Sequence, residues 1–185
     1  MVPRRLVTVA LSVVLGLLVA SASHVATADV PVGPANLVPC PAGTDDYRRY
    51  PGTMAPYLCH SAVVDGVGNV VALRYGRADQ PGRSGFGYMH AFVDHNVSDE
   101  VIERVASSAY PLSAPRRPGG GDRRRYIAEF RSAGHGIMAV WVEVDRAPSA
   151  SAPDREPLGV VTAYCKIPVK QDPEKLCPQW VNDSL

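Results

Sequence analysis

His90 and His95 stand five positions apart with Asp94 directly before the second, and this trio is well suited to moving protons. Imidazole titrates near neutral pH, so one ring of a pair takes a proton while the other, charged, gives one, and a carboxylate orients either ring. His90, Asp94 and His95 are also zinc-type donors. The pattern His-x-x-x-Asp-His lacks a further ligand at a familiar spacing, so neither metal nor cofactor is expected. The plainer reading is structural: one histidine ends a helix and the other is satisfied in the core. His60 and His135 are the remaining histidines beyond residue 28.

A second chemical cluster is basic. Arg116, Arg117, Arg123, Arg124 and Arg125 flank Pro118-Gly119-Gly120-Gly121. Guanidinium groups stay charged and grip phosphate with a fork of donors, which makes this loop the best local candidate for phosphate binding. A merely solubilising run of charge is the alternative. Tyr126, Trp141 and Tyr164 are candidate stacking partners for bases, although alternating aromatics in strands commonly belong to a core.

The elements that must position these groups follow from periodicity. Ala62–Val64 and Val70–Leu73 flank Asp65-Gly66-Val67-Gly68-Asn69, a hairpin pattern. Arg77–Gly87 reads as a polar loop ending in Ser84-Gly85-Phe86-Gly87. Tyr88–His95 reads as a short helix, with Met89, Phe92 and Val93 on one side and His90 and Asp94 sharing another. Ser98 caps a second helix over Asp99–Ser107, whose apolar stripe is Val101, Ile102, Val105 and Ala106. After the prolines at 111 and 115 the period changes to that of strands: Arg125–Arg131, with Tyr126, Ala128 and Phe130 on one face, then Ile137–Val144, then Leu158–Cys165. Residues 147–157, mostly Ala, Ser, Pro and charge, read as a mobile loop. The expectation is an α+β fold: two short helices followed by an antiparallel β-meander, with a disulfide-stapled N-terminal arm and C-terminal tail.

The front of the chain sets its compartment. Two arginines precede an apolar run from Leu6 to Ala20, and Ala26-Thr27-Ala28 presents small residues for cleavage, so residues 1–28 read as a secretory signal peptide, with a cut after Ala22 also open. Removing residues 1–28 lowers the 19 basic side chains by two to 17 against 18 acidic ones, so the mature chain carries no field favouring nucleic acid or an anionic membrane. Residues 29–60 form an irregular arm, and 61–185 make a single domain expected to be a monomer free of the membrane. Cys40, Cys59, Cys165 and Cys177 are even in number, which in an oxidising compartment indicates two disulfides. Three pairings are possible; Cys40 with Cys59 and Cys165 with Cys177 are favoured because each closes a local loop.

Ser84-Gly85-Phe86-Gly87-Tyr88-Met89-His90, a second histidine at His95, an arginine-rich entry to the strand at Tyr126, and Gly159-Val160-Val161-Thr162-Ala163-Tyr164 together resemble the barnase/EndoU/colicin D/RelE-like ribonuclease fold of bacterial polymorphic toxins, over about residues 70–165. The resemblance implies a secreted toxin or defence enzyme that cleaves RNA without metal, by attack of a 2′-hydroxyl on the adjacent phosphorus. It implies His90 and His95 as general base and acid, Arg124 or Arg125 as stabiliser of the phosphorane, and Thr162 with Tyr164 as holders of a phosphate oxygen. RNA is then the substrate, and an immunity or delivery protein a partner. A non-enzymatic secreted binding module (an inhibitor, adaptor or wall-associated protein) is the alternative on the same fold.

Overall fold

The structure, a computed structural model, describes residues 28–29, 35–114, 121–167 and 176–185. Residues 1–27 of the expected signal peptide, and Arg116 and Arg117, therefore lie outside the described residues. In chain order the elements are β1 (Ala28–Asp29), β2 (Leu37–Val38), a 3-10 turn over Gly52–Tyr57, β3 (Cys59–Val64), β4 (Val70–Arg74), α1 (Gly87–His95), α2 (Asp99–Ser108), β5 (Leu112–Ser113), β6 (Arg123–Ser132), β7 (Gly136–Pro148), β8 (Pro157–Lys166) and α3 (Gln179–Asn182). The chain is α+β as its periodicity indicates: two helices, then the antiparallel meander β6-β7-β8, to which β5 adds antiparallel and β1 parallel at β6. A second antiparallel sheet runs β2-β3-β4.

Alternation along the long strands sorts their side chains between two environments. Tyr126, Ala128 and Phe130 of β6, Val140, Val142 and Val144 of β7, and Ala163 and Cys165 of β8 face one core, which is closed by Val101, Ile102, Val105 and Ala106 of α2. Helix α2 starts where Ser98 accepts the Val101 N–H (3.4 Å), with Asp99 and Glu100 in the first turn facing the positive end of the helix dipole. The hairpin turn between β3 and β4 is organised by Asp65. Its Oδ1 accepts the N–H groups of Val67 (3.0 Å) and Asn69 (2.7 Å), and its Oδ2 accepts the Tyr126 hydroxyl (2.8 Å), tying one sheet to the other.

One expectation needs correction. Residues 147–157 are not a mobile loop: β7 continues to Pro148, β8 begins at Pro157, and Ala152 is buried with Tyr50, Tyr57 and Phe86 in a second core. Asp154 in that loop accepts the Tyr50 hydroxyl (2.6 Å) and pairs with Arg74 (3.0 Å), a side chain only 2 % exposed. Small and polar composition signals a loop, but one buried methyl and one buried ion pair are enough to fix it. Met89, Phe92 and Val93 share one side of α1, as their spacing indicates, and that side is exposed. The helix instead buries Gly87 and Ala91, because its small side lies against β8 and leaves no room for longer residues.

The disulfides are Cys40–Cys59 and Cys165–Cys177, the two local pairings. Among the described residues no helix is long and apolar enough to cross a membrane.

Candidate active site

Helix α1 begins at a junction that admits only glycine. Gly76 and Gly87 both have positive φ (70° and 75°), and a Cβ on Gly76 would lie 1.7 Å from the Phe86 carbonyl oxygen. The close approach lets the Met89 N–H bond to the Tyr75 carbonyl at the end of β4 (2.8 Å), which fixes the first turn of the helix. Gly85, just before it, has a different duty: a Cβ there would sit 2.7 Å from His90 Nδ1. The Ser84-Gly85-Phe86-Gly87 run thus clears space for the histidine that follows.

His90 is 12 % exposed at its side chain, and its Nδ1 lies 2.7 Å from Asp94 Oδ2, one helical turn on. That carboxylate also accepts the backbone N–H of Asp79 (2.8 Å), while Asp79 Oδ1 lies 3.7 Å from the same His90 nitrogen and accepts the Gly85 N–H. Partial burial pushes the Asp94 carboxyl up, but the Asp79 N–H, the hydrogen bond and charge of His90 and the charge of His95 outweigh it, so the acid rests below its ordinary range. With Nδ1 engaged, Nε2 is the nitrogen of His90 left for proton exchange.

The end of α1 places the second histidine. Asn96 adopts the left-handed conformation that closes the helix, and its side-chain amide donates to the Cys177 carbonyl (2.8 Å), while the Cys177 N–H donates to the His95 carbonyl (2.8 Å). His95 is thereby held with its ring 4.9 Å from that of His90, edge to face, and 6.0 Å from that of Tyr164. Strand β8 completes the site through a bulge: Val160 pairs with Val144 and Thr162 with Glu143, leaving Val161 as the extra residue.

A cavity of about 170 Å³ opens between these elements, lined by Asp79, Ser84, Gly85, His90, His95 and Thr162, together with Val161. Thr162 is 5 % exposed, and its Oγ1 has no hydrogen-bond partner among the described residues. A buried hydroxyl without a partner costs about 1–3 kcal/mol, so a ligand that bonded to it would recover that cost. A larger cavity of about 330 Å³ lies between the sheets around Asn69, Arg146 and Glu156, but it holds no histidine and its Arg146 is bonded to Asn69 (2.8 Å).

Of the six residues expected in the site, the structure gathers His90, His95 and Thr162 at one cavity and sets Tyr164 beside His95. The hydroxyl of Tyr164 donates to Glu143 Oε1 (3.2 Å) rather than lining the cavity. The two arginines are elsewhere. Arg125 forms an ion pair with Glu143 and lies over the Trp141 ring (4.3 Å), and Arg124, on the opposite face of β6, pairs with Asp122 (2.8 Å). Arg123 pairs with Glu143 as well (3.0 Å), so the described part of the arginine-rich stretch is matched by acids and is not an open phosphate patch. Tyr126 is fully buried and cannot stack on a base.

Two participants escaped the sequence. Asp79 and Gly85 lie in a loop whose polar composition carries no period, although the Gly-Phe-Gly run was a visible cue for Gly85. Arg77 is outside the cavity lining: its guanidinium packs 4.8 Å from the Phe86 ring centroid, and its Nε and Nη1 are buried with no partner among the described residues. His60, by contrast, forms a separate pair with Asp99 (2.7 Å) between the rings of Tyr75 and Tyr88, remote from these groups in the chain and outside the cavity lining.

No family model matches the chain, and no curated protein or solved structure matches it significantly.

Proposed function

We propose that this protein is an exported ribonuclease that cleaves RNA without a metal ion. The observation that carries the reading is the meeting of two histidines, an orienting aspartate and an unpartnered buried threonine hydroxyl at one cavity. One imidazole takes the proton of a 2′-hydroxyl as its oxygen bonds to phosphorus; the other, as imidazolium, protonates the 5′-oxygen as the P–O5′ bond breaks. The products are a 2′,3′-cyclic phosphate and a 5′-hydroxyl. Thr162 Oγ1 donates to a non-bridging phosphate oxygen, and Asp94 holds His90 in one tautomer and stabilises its charged form. Two disulfides fit an extracellular protein.

The test is cleavage of a defined RNA by oxidised protein in excess chelator. Cyclic-phosphate ends should form, the all-deoxy oligonucleotide should stay intact, and His90→Ala should lose on the order of 10²–10⁴-fold in kcat. Intact RNA throughout the neutral range with folded protein would overturn the enzymatic reading. The alternative, a non-enzymatic binding module, is favoured by one observation: the arginines of β6 are already paired with acids.

A further inference from the structure

Asp79, His90 and Asp94 make an arrangement that proton transfer alone does not require. Orienting His90 takes one carboxylate, yet Asp79 Oδ1, His90 Nδ1 and Asp94 Oδ2 all lie within 4.8 Å of one another. Around a zinc-sized ion, ligand atoms at bond lengths near 2.1 Å sit about 3.0–3.4 Å apart. The present separations from His90 Nδ1 are 2.7 Å to Asp94 and 3.7 Å to Asp79, so one opens and the other closes by a fraction of an ångström. Asp79 has freedom to make that adjustment, since its side chain is 59 % exposed on a loop. The adjoining cavity has room for water on the ion's remaining positions, and the unpartnered Thr162 hydroxyl on its wall is the second, independent feature calling for a ligand there.

We propose that Asp79 Oδ1, His90 Nδ1 and Asp94 Oδ2 form a three-ligand site for a divalent transition-metal ion such as Zn²⁺, and that its occupation silences the histidine pair. One imidazole and two carboxylates suit Zn²⁺, Mn²⁺ or Co²⁺ and do not suit soft Cu(I). Mg²⁺, which dehydrates reluctantly and prefers all-oxygen sites, should not compete. A metal on Nδ1 displaces the Asp94 hydrogen bond that orients His90 and takes up the ring's one basic lone pair, so this imidazole no longer serves as a proton acceptor and the pair is broken. Metal binding stands on the donor geometry by itself; the inhibition rests on the ribonuclease reading.

The experiment titrates ZnCl₂ into untagged, oxidised, chelator-stripped protein by calorimetry, with the His90 ring signals followed by NMR. The expected result is one ion per chain, perturbation of His90, no heat with MgCl₂, and affinity weakened on the order of 10-fold or more in both Asp79→Asn and Asp94→Asn. His60→Gln, which removes the other histidine–aspartate pair, should leave the affinity unchanged. No binding, binding within twofold of the parent in Asp79→Asn, or loss of binding in His60→Gln would each overturn the proposal. Because these arms contain no RNA, a protein that binds zinc but never cleaves refutes only the ribonuclease. Where cleavage is seen, Zn²⁺ should suppress it over the concentration range in which it binds, and Asp79→Asn should require at least 10-fold more metal for the same suppression relative to its own basal rate.

Discussion

At the scale of single residues the site depends on what its neighbours leave out or hold back. Gly85 is the clearest example, because the methyl group of an alanine would stand 2.7 Å from His90 Nδ1 and 2.6 Å from the Arg77 carbonyl oxygen. Gly85→Ala should therefore turn the His90 ring from Asp94 and lower kcat by at least 10-fold, with KM less affected, and the clash with the Arg77 backbone should also lower the melting temperature; a shifted His90 NMR signal in the folded protein checks the cause. Asp94→Asn retains the shape of the acid but not its charge, and should lower kcat on the order of 10²-fold or more by leaving His90 free to adopt the wrong tautomer. Unchanged kcat in Asp94→Asn would remove the acid from the mechanism.

At the scale of elements, the site is the meeting of one helix with one strand, and each was legible to a different degree. The stripe Val101, Ile102, Val105, Ala106 and the alternation Tyr126, Ala128, Phe130 are strong periodic signals, and both face the core as expected. Helix α1 was legible as a helix, but its buried face was not, because the contact it makes selects the small residues Gly87 and Ala91 over the apolar ones. The histidines were legible as a pair within one short element; the closure of the helix at Asn96, which sets their rings 4.9 Å apart, was not. The arginines were misleading, since the acid that pairs with Arg123 and Arg125 is Glu143, 20 and 18 residues on, and register across strands is invisible to local pattern; Arg124 pairs with Asp122, two residues before it. The loop joining β7 to β8 was equally illegible, its order depending on the buried Arg74–Asp154 pair. Asp154→Ala should destabilise the fold by about 3 kcal/mol in denaturant unfolding, most of it the cost of stranding a 2 %-exposed guanidinium. A change below 1 kcal/mol would mean that the loop is fixed by Ala152 alone.

At the scale of the whole molecule, stability should be limited by pH on both sides. Asp65, Asp94 and Asp154 are all held below the ordinary aspartate value of 3.8, through hydrogen bonds that outweigh the upward push of burial. Their stabilisation is full above that value and is lost as pH falls through the depressed folded values, so acid unfolding should set in below about pH 4. Tyr126 and Tyr50 carry the opposite shift, both raised above 10.0 by burial and by the carboxylates they bond to. That contribution is full below pH 10 and lost above it, so thermal melts across pH should show a falling limb at each end. The disulfides add a third control, each contributing about 3 kcal/mol in the chain-entropy model for loops of 19 and 12 residues.

The Cys165–Cys177 bridge does more than stabilise. It bolts the end of β8, three residues beyond Thr162, to the backbone that clasps the carbonyl of His95. The hydroxyl and the second imidazole of the site are thereby brought into register by a covalent bond that a reducing cytosol does not allow. A freshly made chain would carry every reactive side chain and still be unarmed. Competence would arrive with oxidation, after the producing cell's own RNA is out of reach.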